Sequence, residues 1–320
     1  VAVAERLLAV QGQDPRGARL AVRVRTSGLT AADVDRALTE DRSLVISWLN
    51  RGTLHLVRGE DHPWLHALTT PPLHTANNRR LQQEGVAPRA AEQAVAVIER
   101  ALAEEGPLTR MELRDRIAAA GVRTEGQALI HLLFAASLRG LIVRGPMRGP
   151  HHAFVLVRDW LPAAPAFDRG RALAELARRY LAGHGPAGDR DLAKWAGLPL
   201  RDARAGLGAI ASELAQGPDG LVDLASRPPA DPELPPPRLL GAFDPVMLGW
   251  VDRSPIAGAH HTVLADNGLF RPFALVGGRA VATWALPKGR VELAPLRRLS
   301  GPVRAALDAE AADVVRFLGG

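Results

Sequence analysis

GPLTRMELRDRIAAAGVRTEGQALIHLLFAASLRGLIV, running from Gly106 to Val143, is the stretch that decides the fold. Thr109-Arg110-Met111-Glu112 is a capping box, in which a hydroxyl and a glutamate three residues on satisfy free backbone amides and open a helix. That helix passes through Leu113 and Ile117 to a turn at Gly121. A second helical pattern runs from Thr124 to Arg139, with Leu129, Leu132, Leu133 and Ala136 on one apolar face. Gly140 stops it, and Leu141-Ile142-Val143 begins a strand. The same order returns further along the chain. Gly185-Pro186-Ala187-Gly188-Asp189 leads into a helix through Leu192 and Trp195, a turn at Gly197, and a helix carrying Leu200, Ala203, Leu207, Ile210 and Leu214. Gly220-Leu221-Val222-Asp223-Leu224 closes it as a strand. A cap, two short helices and a strand that recur in order are the mark of a repeat. Each copy predicts a winged helix, a module that places a helix in the groove of duplex DNA.

Working outward, a third copy opens the chain. Asp14-Pro15 reads as an N-cap followed by proline at the first helical position. A helix over Ala18 to Val24 ends near Gly28, and Thr30 caps the next, with Val34 and Leu38 on one face. Ser43–Trp48 and Thr53–Val57 are β-rich runs around Asn50-Arg51-Gly52, a hairpin signal. His62-Pro63 starts another helix. In the copy that begins at Gly106, Leu141–Arg144 and Ala153–Val157 flank a wing-like loop, Gly145 to Pro150. Arg227 to Arg238 is a linker too dense in proline for helix or central strand. Beyond it, Val246–Val251, His261–Leu264, Arg271–Leu275, Ala280–Trp284 and Arg290–Leu293 read as five short strands, and an amphipathic helix follows. The expected fold is α+β: three tandem winged helices (residues 1–75, 88–160 and 167–226), then a small β-barrel with a terminal helix (residues 234–320).

Composition narrows the function. With no cysteine among 320 residues, disulfides, thiolate zinc sites, iron–sulfur clusters and cysteine nucleophiles are excluded. No apolar run approaches the roughly 18 residues that cross a bilayer. No signal-peptide pattern opens the chain, so a cytoplasmic protein is expected. The net charge is +6 and only Lys194 and Lys288 are lysines. Arginine grips phosphate bidentately and reads guanine edges, although a GC-rich genome accounts for most of an arginine excess. Aromatic residues are 4% of the chain. A single-strand binder needs aromatic stacking platforms, so duplex DNA is the better partner. A monomer is expected.

No nucleophile elbow, P-loop or dinucleotide fingerprint is present. His62 and His66 have the i, i+4 spacing of two metal ligands on one helix, but Pro63 follows His62 where a metalloprotease would place its glutamate. Neither metal nor cofactor is expected. Gln11-Gly12-Gln13 alone is a polar loop. In extended backbone, however, residues i and i+2 face the same side, so two amides can hold one water or one sugar oxygen. Glutamine does not titrate near neutrality, yet its carbonyl oxygen orients water and its amide donates. Such a site suits a leaving group that departs without acid assistance, and the cationic base of an N7-alkylguanine is one.

The chain resembles the AlkZ-like family of bacterial DNA glycosylases. The resemblance is carried by Val10-Gln11-Gly12-Gln13-Asp14-Pro15-Arg16, by Trp48-Leu49-Asn50-Arg51-Gly52-Thr53-Leu54-His55-Leu56-Val57, by Phe243-Asp244-Pro245 with Asp252-Arg253, and by Asn267-Gly268-Leu269-Phe270-Arg271-Pro272. It implies three winged helices and a barrel arranged as a C around DNA, and a catalytic motif of glutamine, a hydrophobic residue, then glutamine or aspartate. Gln11 and Gln13 match the polar places, and Gly12 departs from the hydrophobic one. It also implies a barrel hairpin at the lesion, matched in position by Ile256 to Leu264, with His260 and His261 as contacts. Arg16, Arg51 and Arg253 are further candidates for DNA or lesion contact. The implied activity is monofunctional hydrolysis of the N-glycosidic bond of bulky N7-alkylpurines in duplex DNA, including the unhooking of interstrand crosslinks made by a genotoxic natural product, as in antibiotic self-resistance. No lysine stands beside the motif for Schiff-base lyase chemistry. Two other readings stay open: a non-catalytic winged-helix regulator, and a resistance protein that sequesters the lesion or toxin.

Overall fold

The fold described here is that of a computed structural model, which describes residues 1–163, 166–229, 233–260, 264–266 and 268–319. It is α+β, and its chain divides into two compact units. Unit 1 holds residues 35–172 together with Val1, and unit 2 joins residues 2–34 to residues 173–320.

Unit 1 is built on strands β2 (Leu44–Trp48), β3 (Leu54–Arg58), β4 (Leu108–Thr109), β5 (Ile142–Arg148) and β6 (His151–Leu156), in the order β3-β2-β5-β6-β4. The two β-hairpins expected in separate winged helices share this sheet, because Ile46 of β2 pairs with Arg144 of β5. The first hairpin turns at Asn50–Gly52, where Arg51 has φ 58° and Gly52 φ 72°. The second is tighter than its sequence suggests, since β5 runs on to Arg148 and takes in most of the wing-like loop. Helices α4 (His62–Thr69), α5 (Leu73–Gln83), α6 (Pro88–Glu105), α7 (Arg110–Ala119) and α8 (Ala128–Leu138) complete the unit with the short α9 (Val157–Trp160). The capping box at α7 forms as read: the Glu112 carboxylate accepts from Thr109 N at 2.7 Å, and Thr109 Oγ1 accepts from Glu112 N at 3.4 Å. Trp48 packs on Phe134 and Phe154, and Ile98, Leu132 and Leu133 are fully buried.

Unit 2 contains α1 (Ala2–Leu7), β1 (Val10–Gln11) and α2 (Pro15–Arg23), with α3 (Ala31–Thr39) crossing the boundary. The second repeat supplies α10 (Arg169–His184), α11 (Asp189–Ala196) and α12 (Leu200–Ala209), then the hairpin β7 (Leu214–Gln216) and β8 (Val222–Leu224). After the proline-rich stretch comes an open sheet in the order β14-β13-β12-β9. Its members are β9 (Arg238–Leu240), β12 (Phe273–Val276), β13 (Arg279–Ala285) and β14 (Glu292–Pro295). Helix α15 (Gly301–Leu318) ends the chain.

This sheet corrects the expected barrel: among the described residues no closed barrel is found. The run Val246–Val251 is not a strand. Asp244 caps a helix, α13 (Pro245–Leu248), its carboxylate accepting from Val246 N at 3.0 Å. Asp-Pro is the helix-start signal already recognised at Asp14-Pro15, and here it outweighs the β-branched residues that follow. Conversely, β9 emerges at the end of the proline-rich linker, where Arg238-Leu239-Leu240 pairs with β12. Of the strand expected at His261–Leu264, residues 261–263 lie outside the described residues.

Candidate active site

Gln11 ends β1 and is buried, 6% exposed, whereas Gln13 is exposed at the head of α2. The strand stops at Gln11 and Gln13 lies in a bend, yet the two side chains meet: Gln11 Nε2 donates to Gln13 Oε1 at 2.6 Å. The bond divides the labour between the amides. It uses one lone pair of the Gln13 oxygen and fixes that side chain against the buried one. Gln13 then presents a second lone pair and two N–H donors at the surface.

The next residues make this position rigid. Asp14 caps α2, accepting from Arg16 N at 3.0 Å, and Pro15 takes the first helical place. In the first turn, a Cβ on Gly17 would lie 2.3 Å from Ala242 O, and one on Gly241 would lie 2.9 Å from Gly17 Cα. Only two glycines permit this approach of α2 to the end of β9. At the other end of α2, Arg23 is 4% exposed and donates to Glu310 at 2.8 Å, Asp313 at 2.6 Å and Leu239 O at 2.9 Å. One buried guanidinium thus ties α2 to β9 and α15.

The Phe243-Asp244-Pro245 run is part of the frame. Asp244 is fully buried and takes both terminal nitrogens of Arg25, at 2.8 and 3.0 Å. Burial works against the Arg25 charge, but the Asp244 carboxylate and its hydrogen bonds outweigh it and raise the Arg25 pKa. Phe243 has φ 59°, a conformation costly for a bulky side chain, and its ring lies 5.5 Å from Phe270. Nearby, His184 is buried among Tyr180, Trp195 and Trp250. Among the described residues its ring Nε2 has no partner, and burial pushes the imidazole down to about 4.

The remaining sequence candidates are scattered. Arg16 is exposed in the first turn of α2. Arg253 is half-buried, donates from Nε to Met247 O at 2.9 Å, and lies 4.9 Å over the Phe270 ring. Burial lowers its pKa. It braces the end of α13. His260 closes a helical turn, Gly258–His260, after α14 (Ser254–Ala257). His261 lies outside the described residues. The described part of Ile256–Leu264 is therefore helical rather than a hairpin, because Asp252 accepts from Ser254 N at 2.8 Å ahead of Pro255. The hairpin comes later, as β10 (Ala265–Asp266) and β11 (Leu269–Phe270).

In unit 1, Arg51 occupies the β2–β3 turn. His55 is held down to about 3, by burial first and the Arg51 charge second. His62 and His66 face each other with ring centroids 5.5 Å apart. Each spends its Nε2 on the protein, His62 on Ser47 Oγ at 3.2 Å and His66 on Ser137 O at 2.8 Å. Among the described residues no group of three metal-ligating side chains gathers.

The family model described as "DNA glycosylase AlkZ-like" matches residues 4–317. The chain belongs to the AlkZ-like family of DNA glycosylases. It is accordingly a hydrolase acting on N-glycosyl bonds. Over 345 aligned positions this glycosylase is 29% identical to the interstrand DNA cross-link repair glycosylase of Streptomyces sahachiroi, covering 99% of this chain and 90% of the relative. The solved structure of Streptomyces sahachiroi DNA glycosylase AlkZ superposes with a TM-score of 0.73 at 26% identity, over 98% of this chain and 89% of that one. The residues that hold α2 behind Gln11 and Gln13, namely Gly17, Arg23, Gly241 and Glu310, had no local signal, since their partners lie more than 200 positions away in sequence.

Proposed function

We propose that this glycosylase excises bulky N7-alkylated purines from duplex DNA and unhooks interstrand crosslinks formed through such adducts, with Gln11 and Gln13 as its catalytic pair. The observation that carries the reading is the 2.6 Å bond between the two amides, set on a helix start that is capped and closely packed. Quaternised at N7, the purine leaves as a neutral base when its bond to C1′ breaks. A water then bonds to C1′ and yields its proton to solvent. No acid is needed, so a pair of non-titrating amides suffices. Gln13, exposed, orients the water through its free lone pair and donates toward the sugar. Gln11, buried, holds Gln13 in place.

In this reading the chain carries three winged helices, residues 1–75, 88–160 and 167–226, ahead of the C-terminal domain at 234–320. Arg16 stands nearest the pair in sequence and is assigned to the DNA backbone. Arg51, Arg253, His260 and His261 are assigned to DNA or lesion contact, with Arg253 also bracing α13. The acting species is a monomer. Incubation with a duplex carrying N7-methylguanine tests the reading: free base and abasic sites should accumulate together. Tight binding to damaged DNA with no base released contradicts it and favours a sequestering protein.

A further inference from the structure

The net charge of this chain is not spread over it. Of 40 cations and 34 carboxylates in all, residues 268–304 carry seven cations and one carboxylate, Glu292. Elsewhere 33 cations meet 33 carboxylates and cancel. The whole +6 therefore sits on the C-terminal sheet, its turns and the first turn of α15. Arg271, Arg279, Lys288, Arg290, Arg297, Arg298 and Arg304 are all exposed. Across the rest of the protein arginines pair with acids, as Arg116 does with Glu105, Arg139 with Glu92 and Arg178 with Glu213. Among the described residues none of the seven has a carboxylate partner.

The register sorts six of them to the two ends of the sheet. Arg279 opens β13 beside the Gly277-Gly278 turn, and Arg297 and Arg298 follow Leu296, whose N donates to Val281 O at that same end. At the other end the chain turns between Ala285 and its partner Glu292, placing Lys288 and Arg290 there. Arg271 precedes Phe273, the partner of Thr283, and joins them. Seven residues of β13 separate the ends, about 20 Å at strand rise. That length spans roughly six phosphates of one DNA strand at about 3.4 Å each.

We propose that this sheet is the surface that grips the sugar-phosphate backbone of duplex DNA irrespective of damage. The inference rests on the DNA-glycosylase reading and adds where the polyanion lies. DNA is favoured over an acidic protein by position. The end with Arg271, Lys288 and Arg290 is also the end where β9 passes into Gly241-Ala242, against which Gly17 packs four residues after Gln13. One polyanion can lie on the cationic end and reach the amide pair.

The test is affinity for undamaged duplex against salt, by fluorescence anisotropy, with three variants whose fold is checked by thermal melting. Arg271→Gln/Lys288→Gln/Arg290→Gln and Arg279→Gln/Arg297→Gln/Arg298→Gln neutralise the two ends. Arg79→Gln/Arg89→Gln/Arg100→Gln removes the same charge from exposed positions in unit 1. At about 0.9 per phosphate contact, each sheet variant should flatten the slope of log K against log salt by about 2.7 and weaken binding on the order of 10²-fold at 0.1 M salt. The unit 1 variant should leave the slope unchanged. Equal losses from all three variants, or sheet variants with the wild-type slope, overturn the inference and leave the glycosylase reading intact. A wild-type protein whose binding ignores salt sinks the DNA reading and the inference with it.

Discussion

Gly17 and Gly208 both lie inside α-helices of unit 2, and helix propensity alone predicts that alanine stabilises each by about 1 kcal/mol. The structure predicts opposite signs. Nothing lies within 4 Å of a Cβ added to Gly208, so Gly208→Ala should keep the propensity gain. On Gly17 the same atom would sit 2.3 Å from the backbone oxygen of Ala242, while Gly241 blocks retreat on one side. Neither neighbour is a side chain that can swing away, so α2 itself must move by about 1 Å. Overpacking of this kind costs about 1–3 kcal/mol. Taking the upper end and subtracting the propensity gain leaves a loss of about 2 kcal/mol. For a unit of this size that is a fall in Tm of about 4–8 °C, against a rise of about 2–4 °C for Gly208→Ala. Because α2 begins directly after Gln13 and Asp14, its displacement should also slow base excision. A shift of about 1 Å is enough to cost on the order of 10²-fold. Thermal denaturation and single-turnover excision of the two variants check this. A Gly17→Ala protein as stable and as active as wild type would refute the packing of α2 against Ala242 and its role behind the amide pair.

Three further outcomes follow from the buried groups. His55 and His62 are held down to about 3 and His184 to about 4 by burial. The unfolded chain binds protons at these sites below pH 6.5, where the folded protein does not. Stability should therefore be full above that pH and fall as the solution is acidified toward the folded pKa values, by up to ~2 kcal/mol per histidine at pH 5; a flat urea midpoint from pH 7 to 5 would contradict their neutral burial. Asp244→Asn leaves the Arg25 charge without its carboxylate and should cost about 3–5 kcal/mol in denaturant titrations, whereas a change below ~1 kcal/mol would show that the pair does not frame the site. Excision should be undiminished by EDTA, since His62 and His66 spend their Nε2 atoms on Ser47 and Ser137; loss restored by zinc would return them to the role of ligands.

Local rules carried the repeats a long way. The Thr109–Glu112 box, the Asp14-Pro15 start and the hairpin around Arg51 are written within four residues of chain, and each forms as read. The failures have local causes as well. Val246 to Val251 looks like a strand by composition, yet Asp244 and Pro245 start a helix there. Proline density hid β9, whose three residues are fixed by pairing with Phe273, Ala274 and Leu275 rather than by their own propensity. Among the described residues the strands beyond it form a four-stranded and a two-stranded sheet and close no barrel. The two glutamine amides meet, as expected, but not along an extended strand: β1 stops at Gln11 and Gln13 lies in a bend. What holds them still was not legible: Arg23 meets Glu310 across 287 positions, and Gly17 meets Ala242 across a similar span. Charge segregation lay open in the sequence, but the net value of +6 concealed that the segment 268–304 carries all of it.

The amide pair is the centre of this account, and single-turnover base release from N7-methylguanine duplex tests it most directly. Gln13→Ala and Gln11→Ala should each lower the rate, with the loss of a preorganised polar contact costing about 10²–10³-fold. DNA affinity should be nearly unchanged in both. Because Gln11 acts through its bond to Gln13, the double variant should lose less than the product of the single losses. Gln13→Asp should retain partial activity, since a carboxylate also orients water. Wild-type rates in both alanine variants would contradict the account and return Gln11-Gly12-Gln13 to a polar loop ahead of a helix.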